Sequence, residues 1–114
     1  MRMWMLDPSK MCRKHLLGEH VEIHMLVGSI LKKKNLGKFL EYRLIEPKSI
    51  VERHRQLVDE MTKRGYKHKS ELPEFNLEQY DSSILSISVD VNKSIHDISE
   101  RCSECSDLIL SIYQ

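Results

Sequence analysis

The residues with the most chemical capacity in this 114-residue chain sit in one short run and one distant pair. Glu19 and Glu22, three apart, share a helix face with His15, which lies four positions before Glu19. Carboxylates placed in this way can stabilise a developing cation or move a proton. The simpler reading makes them solvated acids paired with Arg13, Lys14 or His15. His20 and His24, four apart, can ligate one metal, and Cys102-x-x-Cys105 offers half of a zinc site with Cys12 as a third ligand. One Cys-x-x-Cys without a second pair is a weak signal. By spacing, Cys102 and Cys105 fall on an apolar helix stripe, where cysteines act as small buried hydrophobes, and three cysteines suit reduced thiols better than a disulfide framework. No metal is therefore assigned, and a metal-binding or purely structural helical module is kept as the rival class.

The elements that must position these groups follow from hydrophobic spacing. Asp7-Pro8-Ser9 signals a helix start, and Leu17, Val21, Met25 and Gly28 form a stripe with Leu16, Ile23, Val27 and Ile30 beside it. One long helix is expected from about residue 9 to about residue 33, ended by Asn35-Leu36-Gly37. Residues 38–46 read as a connector. Glu46-Pro47 opens a second helix whose apolar face is Ile50, Val51, Leu57, Val58 and Met61, and Gly65 stops it. Residues 66–83 read as irregular chain. A third helix is expected from about Ile84 or Ile87 to about Ile112, with Val91, Ile95, Ile98, Cys102, Cys105, Ile109 and Ile112 at three- and four-residue spacing. The fold class is all-α: a single compact bundle of three main helices over residues 1–114, with irregular connectors and the N-terminus packed against the first helix.

Bulk properties narrow the setting. The chain is 40% hydrophobic and 31% charged, which suits a globular protein, and no apolar run is long enough to cross a bilayer. The first eight residues lack the apolar stretch and cleavage site of a secretory signal, so a cytoplasmic, intracellular location is expected. A net charge of +1 conceals an asymmetry: residues 1–70 hold sixteen Lys and Arg against eight Asp and Glu, and residues 71–114 hold two against nine. A basic front portion suits phosphate binding, and mutual packing of opposite charges explains it equally well.

Lys14-His15-Leu16-Leu17-Gly18-Glu19-His20-Val21-Glu22 resembles the first helix of the phage-type pyrimidine-dimer DNA glycosylases of the endonuclease V type. The run from Arg53-His54-Arg55 to Lys63-Arg64-Gly65-Tyr66 is similar to that family's second helix, so the resemblance covers roughly residues 1–70. It implies a helical DNA-repair enzyme that cleaves the glycosidic bond of a damaged pyrimidine, then breaks the strand by β-elimination as an abasic-site lyase. It also implies an N-terminal α-amine as nucleophile beside a glutamate from the first helix. Glu22 follows Met1 by 21 positions, the spacing that the family keeps between these two groups. Arg2 is too large for efficient removal of the preceding methionine, so Met1 is expected to be retained and to supply the amine.

An α-amine has an ordinary pKa of about 7.7 to 8.0, so part of it is an uncharged nucleophile at neutral pH. The implied catalytic residues are Met1 and Glu22, and the chemistry requires no metal or organic cofactor. Arg2, Lys14, His15, Arg53, His54, Arg55, Lys63 and Arg64 are the expected contacts to damaged double-stranded DNA, with the protein acting as a monomer and without a membrane. Two departures bear on specificity. Val21 and Met25 stand where the family tends to carry arginines, and the chain ends Ser111-Ile112-Tyr113-Gln114 instead of in an aromatic and basic tail. An abasic-site lyase, a glycosylase for another lesion and a non-catalytic DNA-binding module therefore stay open beside the dimer glycosylase.

Overall fold

Asp7 caps a single 3-10 turn, Pro8–Lys10, by accepting from the Ser9 backbone N–H. The chain then straightens at Met11, and Cys12 caps the first long helix, α1 (Arg13–Leu31), its sulfur accepting from the His15 N–H. Two separate caps thus replace the continuous start expected near residue 9. At the other end Lys33 adopts φ 55° and the Lys34 N–H reaches back to the Ser29 carbonyl, closing α1 before the expected glycine. The computed structural model describes residues 1–68 and 70–110.

After α1 come α2 (Gly37–Glu41), inside the expected connector, a 3-10 turn at Pro47–Ser49, and α3 (Ile50–Lys63). Proline fits the opening of that turn because its missing N–H would be unpaired there anyway. Gly65 ends α3 at φ 82°, a conformation in which a Cβ would be strained, and the Gly65 and Tyr66 N–H groups close onto Thr62 and Met61. Irregular chain leads to α4 (Ser82–Leu85), α5 (Val91–Arg101) and α6 (Ser103–Leu110). No strand occurs among the described residues, and no helix among them is long and apolar enough to cross a membrane.

The expected third helix is therefore three pieces. Its decisive break is at Cys102, which is extended (φ −144°, ψ 107°), closes α5 through its N–H on the Ile98 carbonyl, and accepts the Cys105 N–H on its sulfur to open α6. Apolar spacing continues across such a break, so periodicity alone does not reveal it. Ile112, at the expected end, lies outside the described residues.

α1 packs along α3, and the first 3-10 turn is wedged against both α3 and α6. The core joins Leu16, Ile23, Leu26, Val27 and Ile30 of α1 to Ile50, Leu57 and Met61 of α3, with Met3, Trp4, Leu6 and Met11 from the N-terminal arm. The buried face of α1 is not the stripe through Val21 and Met25, which are both more than half exposed. Glu19 and His20 occupy core positions instead, and polar residues inside with apolar ones outside blur the helical pattern.

Glu19 is tolerated there because Arg53 of α3 meets it with two parallel bonds, Nε to Oε2 at 2.6 Å and Nη2 to Oε1 at 2.9 Å. The same guanidinium donates to the Leu6 carbonyl at 2.6 Å and to Gln56 Oε1 at 3.2 Å, so its charge is well satisfied. Removing one partner leaves the other charge buried and unpaired. Glu19→Ala is expected to lower stability by about 3–5 kcal/mol in chemical denaturation, whereas Glu19→Leu combined with Arg53→Met should recover most of that loss. Equal destabilisation in the single and double variants would show that the pair is not what holds α1 to α3.

Candidate functional site

The N-terminal arm is fastened before it reaches α1. Met3 donates its backbone N–H to the Leu44 carbonyl at 2.8 Å, and the Arg2 guanidinium pairs with Asp97 of α5 at 2.8 Å while lying 4.1 Å over the Trp4 ring. That guanidinium holds the Asp97 carboxyl below the ordinary aspartate value. Met1, half-buried, meets Ser29 of α1 through its sulfur at 4.0 Å.

This anchoring leaves the first amine within electrostatic range of Glu22. Burial pushes the Glu22 carboxyl above the ordinary glutamate value, and the Met1 ammonium is the strongest influence pulling it back. Glu19 adds to the rise, while the Arg2 backbone N–H and guanidinium oppose it. A half-buried carboxylate beside an amine has the composition needed to stabilise an iminium and accept a proton from the adjacent carbon. Val21 and Met25 flank Glu22 on α1 and present apolar surface to solvent. A groove of about 710 Å³ between the end of α1 and residues 74–79 is lined by neither Met1 nor Glu22.

The expected DNA contacts divide sharply. Lys14 and Lys63 are exposed, and Arg55 is exposed but engaged by Glu52 and Asp59. Arg53 is only 2% exposed and faces Glu19, so it does not reach a phosphate surface. Arg64 turns inward to Glu60 and to the Pro8 and Met11 carbonyls. Arg2 is buried on Asp97 and Trp4, and Trp4 is itself a core residue. A basic type at a helix surface position says nothing about whether a carboxylate or carbonyl waits on the inner side, which is why these three could not be sorted by sequence.

His15 and His54 belong to two clusters instead. Cys12, His15, Cys102 and Cys105 place one donor atom each within 4.8 Å of one another, and so do His20, His24, His54 and His68. Sequence reading had Cys12, Cys102 and Cys105 as three of the first set and His20 with His24 as half of the second. The mirrored spacing Cys12-x-x-His15 and Cys102-x-x-Cys105 was the available signal for His15; nothing in the spacing pointed to His54 or His68. Burial and the three neighbouring imidazoles push His20 down to about 4, leaving it neutral at pH 7, and burial pushes the Cys105 thiol up to about 12.

The described chain is all helical, with its first amine within electrostatic range of a helix-borne glutamate. The family model for pyrimidine dimer DNA glycosylases matches residues 1–74, and the chain belongs to that family. Membership implies DNA glycosylase activity and a DNA substrate; α4, α5 and α6 lie beyond the matched segment. No curated protein and no solved structure matches the chain.

Because the ammonium lowers and burial raises Glu22, its carboxyl should titrate above the ordinary glutamate value of 4.5 when followed by carbon-13 NMR. Acetylating the N-terminal amine removes the opposing positive charge and should raise it further. An unchanged Glu22 titration after acetylation would separate the two groups.

Proposed function

We propose that the chain is a DNA repair glycosylase with associated abasic-site lyase activity on damaged pyrimidines, pyrimidine dimers foremost, acting through a Schiff base on the Met1 amine. The observation that carries this reading is the Glu22 carboxyl, half-buried on α1 and under the direct electrostatic influence of the Met1 amine. Family membership supports the glycosylase step, and the amine supplies a reason for the lyase step.

The uncharged amine attacks C1′ of the damaged nucleotide, forming a C–N bond as the C1′–base bond breaks and the base leaves with the bonding pair. Opening of the sugar ring gives an iminium at C1′, stabilised by the Glu22 carboxylate. Glu22 assists removal of a 2′ proton, the resulting electron pair forms the C1′–C2′ double bond of an enamine, and conjugation expels the 3′ phosphate. Water then releases the sugar fragment and restores the amine.

Exposed Lys14 and Lys63 are the better candidates for phosphate contacts, since Arg2, Arg53 and Arg64 are committed within the protein. Val21 and Met25 beside Glu22 offer an apolar surface for an unstacked base, in place of charged grips. The monomer acts on double-stranded damaged DNA in this reading, and residues 1–114 work as one domain.

Borohydride reduction on duplexes carrying a cyclobutane dimer or an abasic site tests the scheme. A covalent protein–DNA adduct should form, map to Met1 by mass spectrometry, and disappear after N-terminal acetylation. Glu22→Gln should reduce strand scission by about 10²–10⁴-fold while leaving DNA affinity within a few fold. Adduct formation that survives acetylation, or full scission by Glu22→Gln, would overturn the assignment of these two groups.

A further inference from the structure

We propose that the chain binds two zinc-class divalent ions at successive positions along α1, one at Cys12, His15, Cys102 and Cys105 and one at His20, His24, His54 and His68. The proposal is independent of the glycosylase reading, because it concerns groups that the amine–carboxylate chemistry does not use.

The cysteine site stands on its geometry. A tetrahedral ion with Zn–S bonds of about 2.3 Å and a Zn–N bond of about 2.0–2.1 Å separates its sulfurs by about 3.8 Å and holds sulfur and nitrogen about 3.5 Å apart. Cys12 Sγ and Cys102 Sγ are 3.8 Å apart, and His15 Nδ1 lies 3.2 Å from Cys12 Sγ and 3.6 Å from Cys105 Sγ. Three of the six donor separations are thus close to those of a closed Cys3His site, and all six fall within 4.8 Å.

The backbone is arranged around the three sulfurs as it is around metal-bound thiolates. Backbone N–H groups point at all three sulfurs: His15 at Cys12 (3.4 Å), Cys105 at Cys102 (3.4 Å) and Cys12 at Cys105 (3.2 Å). A neutral thiol is a weak acceptor, whereas such donors stabilise an anionic sulfur. Cys12 and Cys102 also cap the N-termini of α1 and α6, where the helix dipole favours negative charge. Lys14 and Arg101 both act electrostatically on His15, offsetting the one negative charge left by three thiolates, one neutral imidazole and a divalent ion. Metal entry would displace the three thiol protons to solvent.

The histidine site stands on a different observation. The Nε2 atoms of His20, His24, His54 and His68 are buried without a hydrogen-bond partner, and the four rings are gathered with centroids 4.7–5.3 Å apart in the described pairs. Four orphaned ring nitrogens in one place are costly unless a shared ion satisfies them. Two of the four rings have a partner for the opposite nitrogen: His68 Nδ1 faces Glu71 at 3.8 Å, and the His54 ring hydrogen-bonds the Ser70 backbone. Such partners orient imidazole ligands.

Each ion would fasten to α1 a segment with little core of its own. The cysteine site holds the α5–α6 break, whose helices bury only Ser94, Ile98 and Cys105. The histidine site holds the irregular chain after Gly65 through His68. Both closed donor sets are of structural type.

Metal analysis of the untagged full chain, purified without chelators, should find two equivalents of zinc. Cobalt reconstitution should give sulfur-to-cobalt charge-transfer absorption and tetrahedral visible bands. Cys102→Ser should lose one equivalent together with the charge-transfer band; His68→Gln should lose one equivalent and keep that band. If either variant fails to fold, stepwise blocking of thiols in the wild-type chain should release one equivalent, measured with a metallochromic indicator, and leave the other bound. A folded wild-type chain with no bound metal after zinc exposure, or one with a Cys12–Cys102 disulfide and no thiolate–metal band, would overturn the cysteine site. Retention of both equivalents by folded His68→Gln would overturn the histidine site as assigned.

Discussion

The guanidinium of Arg53 is the point on which the arrangement turns. It ties α3 to α1 through Glu19 and ties both to the N-terminal arm through the Leu6 carbonyl, with the Met11 sulfur 3.5 Å from Nη2. A charge this deeply buried is stable only while every partner stays in place. The cost of displacing any one of them fixes the relative position of three chain segments. The arm that carries Met1 is one of those segments, and the helix that carries Glu22 is another. The electrostatic range between amine and carboxyl is thus set in part by a polar contact in the core, one turn away from Glu22 on the same helix.

α1 has three different duties on three faces. Its apolar residues fill the core, Glu22 lies within electrostatic range of the N-terminal amine, and His15, His20 and His24 reach into the two donor clusters. Glu19 separates the two clusters along the helix and is itself neutralised by Arg53. So many polar groups on one helix leave few positions for hydrophobic burial, and the chain compensates by using the arm, with Met3, Trp4, Leu6 and Met11, as core. The rear helices contribute little apolar surface and are joined to the front by Arg2–Asp97 and by the sulfur cluster. Among the described Arg–carboxylate pairs, Arg2–Asp97 is the one that joins the front and rear halves; Arg53–Glu19 links α3 to α1 within the front half, and the Arg55 and Arg64 pairs lie within α3 or at its end.

The family match ends at residue 74, whereas Cys102 and Cys105 come from beyond it. The rear segment therefore reaches back to touch Cys12 and His15, immediately before and within the helix that bears the catalytic carboxyl of the proposed reaction. Such a connection couples the stability of α5 and α6 to the orientation of α1 without adding a group to the amine–glutamate pair.

The sequence by itself determined that the chain is helical, where its two front helices run and where α3 stops, because apolar spacing, Pro47 and Gly65 act locally. It also offered Met1 with Glu22 as a candidate pair, through a resemblance in two segments and the 21 positions between them in the chain. Only the tertiary structure decided which basic residues face solvent: Arg53 and Arg64 differ from Lys14 and Lys63 by what lies beneath them, and residues 6–11 supply that. The same holds for the break at Cys102 and for the gathering of His54 and His68 with His20 and His24. Those depend on contacts between residues 14 to 93 positions apart, and spacing along a chain carries no information about approach in space until the chain is packed.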